Sequence, residues 1–199
     1  MLYDILPLSQ ISDCGLEELA KLHIAVMHTL LTDLGLPFVR RYYQIAKTSA
    51  SVIGYYALSS DGIILGWVIG SPHPDKVNAE LRTPFSWFVR QLFRLALTDP
   101  LTLWRLRISI FPSPNQTVGQ NSIELTYLGV SQTVRGQGVG QALLKNFVQA
   151  GSSARYRSIV LSVEKDNQRA LALYSAMGFH TIRTFAEGHF ERLRMELVL

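Results

Sequence analysis

The sequence predicts an α/β domain with a mixed sheet. Three observations predict it. Strand-like apolar runs alternate with amphipathic helical stretches over residues 121–199, which is the pattern of crossover helices on a parallel pairing. A hairpin signal lies at 51–70 and adds antiparallel strands. The length of 199 residues, 48% hydrophobic and 17% charged, gives one domain, 1–199, a substantial core.

Tyr3 to Leu8 reads as an opening strand. Ser12-Asp13 then caps an amphipathic helix carrying Leu16, Leu19, Ala20, Ile24 and Met27, because a short polar side chain there satisfies the orphan amides of the first turn. Asp33 to Pro37 breaks it, and a second helix starts near Pro37 with Phe38, Tyr42 and Ile45 on one face, proline being tolerated in a first turn. Ser51 to Leu58 and Ile63 to Gly70, joined by Ser59-Ser-Asp-Gly62, form the hairpin. From Pro72 to Gln120 comes a basic, aromatic segment, with a helix at 84–97 whose Phe85, Phe88, Leu92 and Leu95 share a face, a short helix after Pro100 and a loop at 112–120. Then follow a strand at 123–130, a helix at 138–150, a strand at 158–163, a helix at 167–177 and two closing strands near 179–185 and 192–198.

Composition removes several function classes. A net charge of +4 without any Lys/Arg run suits an anionic ligand and argues against a nucleic-acid partner. No signal or transit peptide is legible, which makes a cytoplasmic location the default. The apolar region Trp87 to Phe111 is interrupted by Arg90, Arg94, Asp99, Pro100, Arg105 and Arg107, so no transmembrane segment is expected. The single cysteine, Cys14, permits neither an intrachain disulfide nor a thiolate zinc cluster and is expected to pack as a small residue. His23, His28, His73, His180 and His189 show no metal-ligand spacing, so no metal is expected, and each is read as exposed or hydrogen-bonded in place. His73, at the head of the basic segment, is the one singled out for attention.

The chemistry concentrates at Gly136-Gln-Gly138-Val-Gly140, between a strand and the mouth of a helix. The first amides of a helix lack intrahelical partners and sit at the positive end of its dipole, while the glycines let backbone approach a phosphate and Arg135 adds a cation. An ATP-type loop is excluded because Gln141-Ala142 stands where Lys-Ser/Thr is needed. A dinucleotide-binding turn fits less well: Gln141 stands at the third glycine and Ser131 to Arg135 separate the glycines from the strand, although Glu164 could serve as the ribose-binding acid.

Leu128-Gly-Val-Ser-Gln-Thr-Val-Arg135-Gly-Gln137-Gly138-Val-Gly140-Gln-Ala-Leu-Leu144 closely resembles motif A of the GNAT superfamily of N-acetyltransferases, and Asn167-Gln-Arg-Ala170-Leu-Ala-Leu-Tyr174-Ser-Ala-Met-Gly178-Phe179 is similar to its second signature. The resemblance is specific over residues 121–199, weaker over 2–71 and absent over 72–120, a helical insertion between the third and fourth strands. It implies a GNAT-like acyl-CoA N-acyltransferase fold and acetyl-CoA as cosubstrate. The coenzyme would lie where the strand ending at Val130 splays from the strand ending at Val163, touching Leu128, Gly129, Val130, Arg135, Gly136, Gln137, Gly138, Val139, Gly140, Gln141, Asn167 and Tyr174. By the same analogy the Leu128 amide would receive the oxyanion formed when an amine attacks the thioester. Glu124, four residues before Leu128 and read on the same strand face, is the candidate general base, with an ion-paired or solvated carboxylate as the other reading. Tyr174 is the candidate donor to the departing thiolate, with a core aromatic as the other reading. Gly129 would admit the local bulge that opens the cleft. Asn167 contacts the pantetheine or caps its helix, and Gly178 ends that helix with Phe179 packed behind it.

The implied acceptor is a primary amine, on a small molecule or a peptide. An acyl-CoA-binding regulatory module of the same fold, without turnover, is the alternative. The insertion is expected to pack as an accessory helix with its arginines in water; an acceptor-pocket or homodimer contact and an anionic membrane surface are the other readings.

Overall fold

A computed structural model of the chain describes residues 2–98, 119, 121–187 and 190–199. In chain order it holds β1 (Tyr3–Pro7), a 3-10 turn, α1 (Asp13–Val26), α2 (Leu30–Asp33), α3 (Leu36–Thr48), β2 (Ile53–Ser59), β3 (Ile64–Ser71), α4 (Pro74–Glu80) and α5 (Phe85–Thr98). There follow β4 (Ser122–Val130), a second 3-10 turn, α6 (Val139–Ser153), β5 (Ser158–Glu164), α7 (Gln168–Ala176), β6 (His180–Glu187) and β7 (Phe190–Val198). The strands make one seven-stranded mixed sheet in the order β1-β2-β3-β4-β5-β7-β6, in which only β4 and β5 run parallel.

Each face of the sheet carries a core. On one side α1 and α3 bring Leu19, Phe38, Val39 and Tyr43 down onto Trp67 and Ile69 of β3. On the other, Leu143, Leu144 and Phe147 of α6 pack against Ile123, Ile159 and Leu161. The expected helices start where their capping chemistry says: the Ser12 hydroxyl accepts from the Gly15 amide at 3.0 Å, and Gly178, at φ 91°, closes α7 with the Phe179 amide bonded to the Tyr174 carbonyl. Cys14, expected to pack, is exposed.

Among the described residues of the insertion, the helix expected at 84–97 is present as α5, and a helix the sequence reading did not expect, α4, begins on Pro74, where a first-turn proline fits. Trp87, Phe88 and Leu92 of α5 pack on the α1–α3 core, with Phe38 edge-on to Trp87 at 5.2 Å and the Arg41 guanidinium 4.6 Å over the Trp87 ring. Phe85, expected on that face, is exposed, and so are Val89, Phe93 and Leu97 at intervals of four. The helix expected after Pro100, the 112–120 loop and His189 lie outside the described residues apart from Gly119. No helix among the described residues is long and apolar enough to cross a membrane.

A buried histidine organises the first core. His23 is fully buried. Its Nδ1 lies 2.7 Å from the Tyr43 hydroxyl, and its ring packs against Trp67 and Tyr127 at 5.5 and 5.0 Å. Burial disfavours the imidazolium and lowers the His23 pKa from 6.5 to about 4. The unfolded chain therefore binds more protons within that window, so stability is complete above pH 6.5 and declines as pH falls toward 4. The loss should total roughly 3 kcal/mol. Denaturant melts across the window should show this limb in the wild type and lack it in His23→Gln; parallel curves for the two proteins would refute it.

Candidate active site

The glycine loop adopts the conformation its composition anticipates. Gly136 and Gly138 sit at φ 81° and 84°, the left-handed region that side chains disfavour. Gly138 is the residue before α6, so the orphan amides of the first turn open beside it. A side chain at Gly136 or Gly138 would meet no atom within 4 Å: the loop borders open space. Gln137 differs from its neighbours. Its amide is spent on the Val134 carbonyl at 3.3 Å, and among the described residues it is the member of the Arg135–Gln141 run that does not line the cleft. Arg135 Nε donates to the Val130 carbonyl at 3.4 Å, which holds the guanidinium at the end of β4.

The cleft itself comes from a failure of two strands to stay together. β4 and β5 pair only through Ser122, Ile123 and Glu124 against Ser158, Ile159 and Val160. Beyond Glu124, β4 continues for six residues to Val130 without β5 beside it. The Ser131 amide donates to Leu65 of β3 at 2.8 Å, so the alternation of an extended strand turns the amides of Leu128 and Val130 the other way, onto the unpaired edge. That edge forms one wall of a cleft of about 990 Å³. Its lining includes Leu128, Gly129, Val130, Arg135, Gly136, Gly138, Val139, Gly140, Gln141, Asn167 and Tyr174. The structure thus brings together every coenzyme-site residue expected from the sequence except Gln137.

α7 forms the facing wall. Asn167 Oδ1 accepts from the Ala170 amide at 3.2 Å and so caps the helix. Tyr174 is buried, its ring 5.7 Å from Phe179, and burial pushes its phenol well up. It is both a core aromatic and a cleft residue, and it stays protonated.

Two expectations about β4 are corrected. Tyr127 registers with Ile69 but Leu125 registers with the next residue, Gly70, so Thr126 is an extra residue and the strand reverses its faces there. Ile123 and Leu125 face the α6 core, Tyr127 faces the α1–α3 core, and Leu128 and Val130 face α6 again. Glu124 therefore does not share a face with Leu128. Its carboxylate is held by Arg194 of β7 through two hydrogen bonds of 2.8 and 3.1 Å, with Arg194 also donating to the Ser162 hydroxyl at 3.0 Å. Both side chains are about nine-tenths buried, and Glu124 does not line the cleft. The bulge is at Thr126, not at Gly129. What Gly129 provides is room: a Cβ there would lie 2.3 Å from the Trp67 ring.

The sequence reading missed the segment that closes the cleft from the α1 side. Ala25, Val26, Met27 and His28, more than 90 residues before the glycine loop, line it, as do Asp166 and Arg169. No local signal could have found them, since contact with β4 is a property of the fold. His73 lies away from the cleft, where its amide donates to the Ser71 hydroxyl. No lining residue comes from α4 or α5. A second depression of about 680 Å³, between the end of α3 and the end of α6, has neither glycine loop nor open strand edge.

Among the comparisons with known proteins, the family model falls on the segment that holds the glycine loop and α7. The model of the Acetyltransferase (GNAT) family matches residues 103–179. The probable N-acetyltransferase family 8 member 5 of Mus musculus is 33% identical over 131 residues, covering 63% of this chain and 57% of that protein. The chain thus spans just over half the length of that relative. Among solved structures, a GCN5-related N-acetyltransferase from Kribbella flavida superposes with a TM-score of 0.66 at 16% identity over 99% of this chain and 98% of that one. The PaiA N-acetyltransferase from Thermoplasma acidophilum, in complex with coenzyme A, superposes with a TM-score of 0.61 at 12% identity over the whole of both chains.

Proposed function

We propose, from the match of residues 103–179 to the GNAT family model and the likeness to N-acetyltransferases, that the chain is a GNAT-superfamily enzyme that transfers the acetyl group of acetyl-CoA to a primary amine by direct attack on the thioester. One observation carries the reading: a single cleft joins the open glycine turn at the start of α6 to an unpaired strand edge that presents the Leu128 and Val130 amides. The chemistry of acetyl-CoA fits both ends. The pyrophosphate finds orphan amides, a helix dipole and Arg135, with the space above Gly138 left empty for it. The pantetheine arm, which carries amide groups, can pair with the β4 edge in place of the missing strand.

The Leu128 amide then stabilises the oxyanion that develops on the thioester carbonyl. Tyr174, kept protonated by burial, donates to the sulfur as the C–S bond breaks. Tyr174→Phe should lower kcat about tenfold or more while acetyl-CoA affinity changes little; stopped assays of thiol release with parallel calorimetry measure both, and an unchanged rate removes Tyr174 from the reaction.

Free-thiol release across acceptor classes, including peptide N-termini, lysyl peptides, polyamines, aminoglycosides, amino sugars and amino acids, tests the function as a whole. Transfer to one class supports an enzyme and identifies its substrate. Tight acetyl-CoA binding with no transfer to any of them supports the regulatory module instead.

A further inference from the structure

We propose that His28 is the general base that takes the proton from the acceptor ammonium. The inference rests on the acetyl-transfer reading and deepens it. Glu124 does not line the cleft, and both oxygens of its carboxylate are taken up by Arg194. The titratable and charged groups that do line the cleft are Arg135, Arg169, Asp166, Tyr174 and His28. Both arginines are cations without acceptor capacity, and the buried Tyr174 phenol stays protonated. Asp166 stands at the foot of α7, beside Asn167, whose helix packs Ala170 and Leu173 on the α6 side of the sheet. His28 follows Val26 and Met27, which pack on the other, α1–α3 side, and on the proposed reading that side receives the acceptor.

The loop that carries His28 is built to hold it. The Met27 amide donates to the His23 carbonyl at 2.8 Å, and the Met27 carbonyl accepts from the Thr32 hydroxyl at 3.0 Å. Thr29 Oγ1 accepts from the Thr32 amide at 3.3 Å and lies 3.4 Å from His23 Nε2. The bonds at Met27 and Thr29 hold the backbone on both sides of His28, and its side chain is exposed to the cleft it lines. In the reaction one ammonium proton passes to the imidazole and on to water. The freed electron pair forms the N–C bond and the C–S bond breaks. The thiolate takes the Tyr174 proton, which the nitrogen replaces through water as the amide forms.

The test uses His28→Ala with two probes in excess over acetyl-CoA: spermidine, protonated at neutral pH, and hydroxylamine, already unprotonated. Transfer to spermidine should fall about 10- to 100-fold, transfer to hydroxylamine should fall far less, and added imidazole should restore the spermidine rate. The acid limb of the spermidine kcat/KM profile should disappear with the side chain. A wild-type rate in the variant overturns the proposal; so does equal slowing of both amines without rescue, or loss of the acid limb in Asp166→Asn rather than in His28→Ala. Calorimetry separates the failures: a wild type that binds no acetyl-CoA and acetylates neither amine overturns the transferase reading, whereas wild-type turnover with an indifferent variant overturns His28 alone.

Discussion

Gly138→Asp is expected to weaken acetyl-CoA binding by about 1,000-fold while the protein remains folded. Gly138 stands at φ 84° immediately before α6, and a side chain there meets nothing within 4 Å. The folded protein therefore has room for an aspartate, at a backbone cost of about 1–2 kcal/mol for the left-handed conformation. The carboxylate would stand beside the first amides of α6, where the pyrophosphate is proposed to bind. Its charge repels a phosphate there. Gly138→Ala, which adds the strain without the charge, separates the two effects and should lose about tenfold or less. Calorimetric titration of the three proteins reads the difference. An aspartate variant that binds within tenfold of the wild type would move the pyrophosphate away from α6.

Removing one half of the Glu124–Arg194 pair should have the largest effect on stability. Both side chains are about 10% exposed and joined by two hydrogen bonds. Arg194→Met leaves a buried carboxylate with no counter-charge, a change that costs about 3–5 kcal/mol in comparable sites. For a chain of this length that corresponds to a fall in Tm of about 2–4 °C per kcal/mol. Glu124→Leu combined with Arg194→Met should recover most of the loss, because the cost lies in stranding one charge. Acetyl-CoA affinity should move little in either protein, since neither Glu124 nor Arg194 lines the cleft. A Glu124→Gln variant that keeps full stability and loses its rate would return Glu124 to the role of base.

Much of this was legible because it is local. The glycine spacing, Arg135 and the strand that precedes them announce an anion site from consecutive residues, and Asn167 and Gly178 mark the two ends of α7 by their own chemistry. What was not legible depends on distant pairings. Glu124 and Leu128 look like residues of one strand face, and only the register with Ile69 and Gly70, more than 50 positions away, shows the extra residue that separates them. His28 belongs to a loop without periodicity, so nothing in Met27–Thr29 points toward β4. The four residues of α2 are too few for a periodic signal. In α5, two sets of apolar residues share Phe85, one continuing through Phe88 and Leu92 and the other through Val89, Phe93 and Leu97; helical spacing describes both, and packing selects the first.

The parting of β4 from β5 has a consequence for how the chain lives among other proteins. An unpaired strand edge normally invites a neighbouring chain to add a strand, and most folds blunt such edges with charge, proline or a bulge. Here the unpaired stretch from Leu125 to Val130 lies in the middle of the sheet order rather than at its rim, walled by α7, the glycine turn and the segment after α1. The backbone groups that would be most adhesive on the outer rim are thereby recessed, and the same burial that reserves them for a thin ligand guards the protein against aggregation.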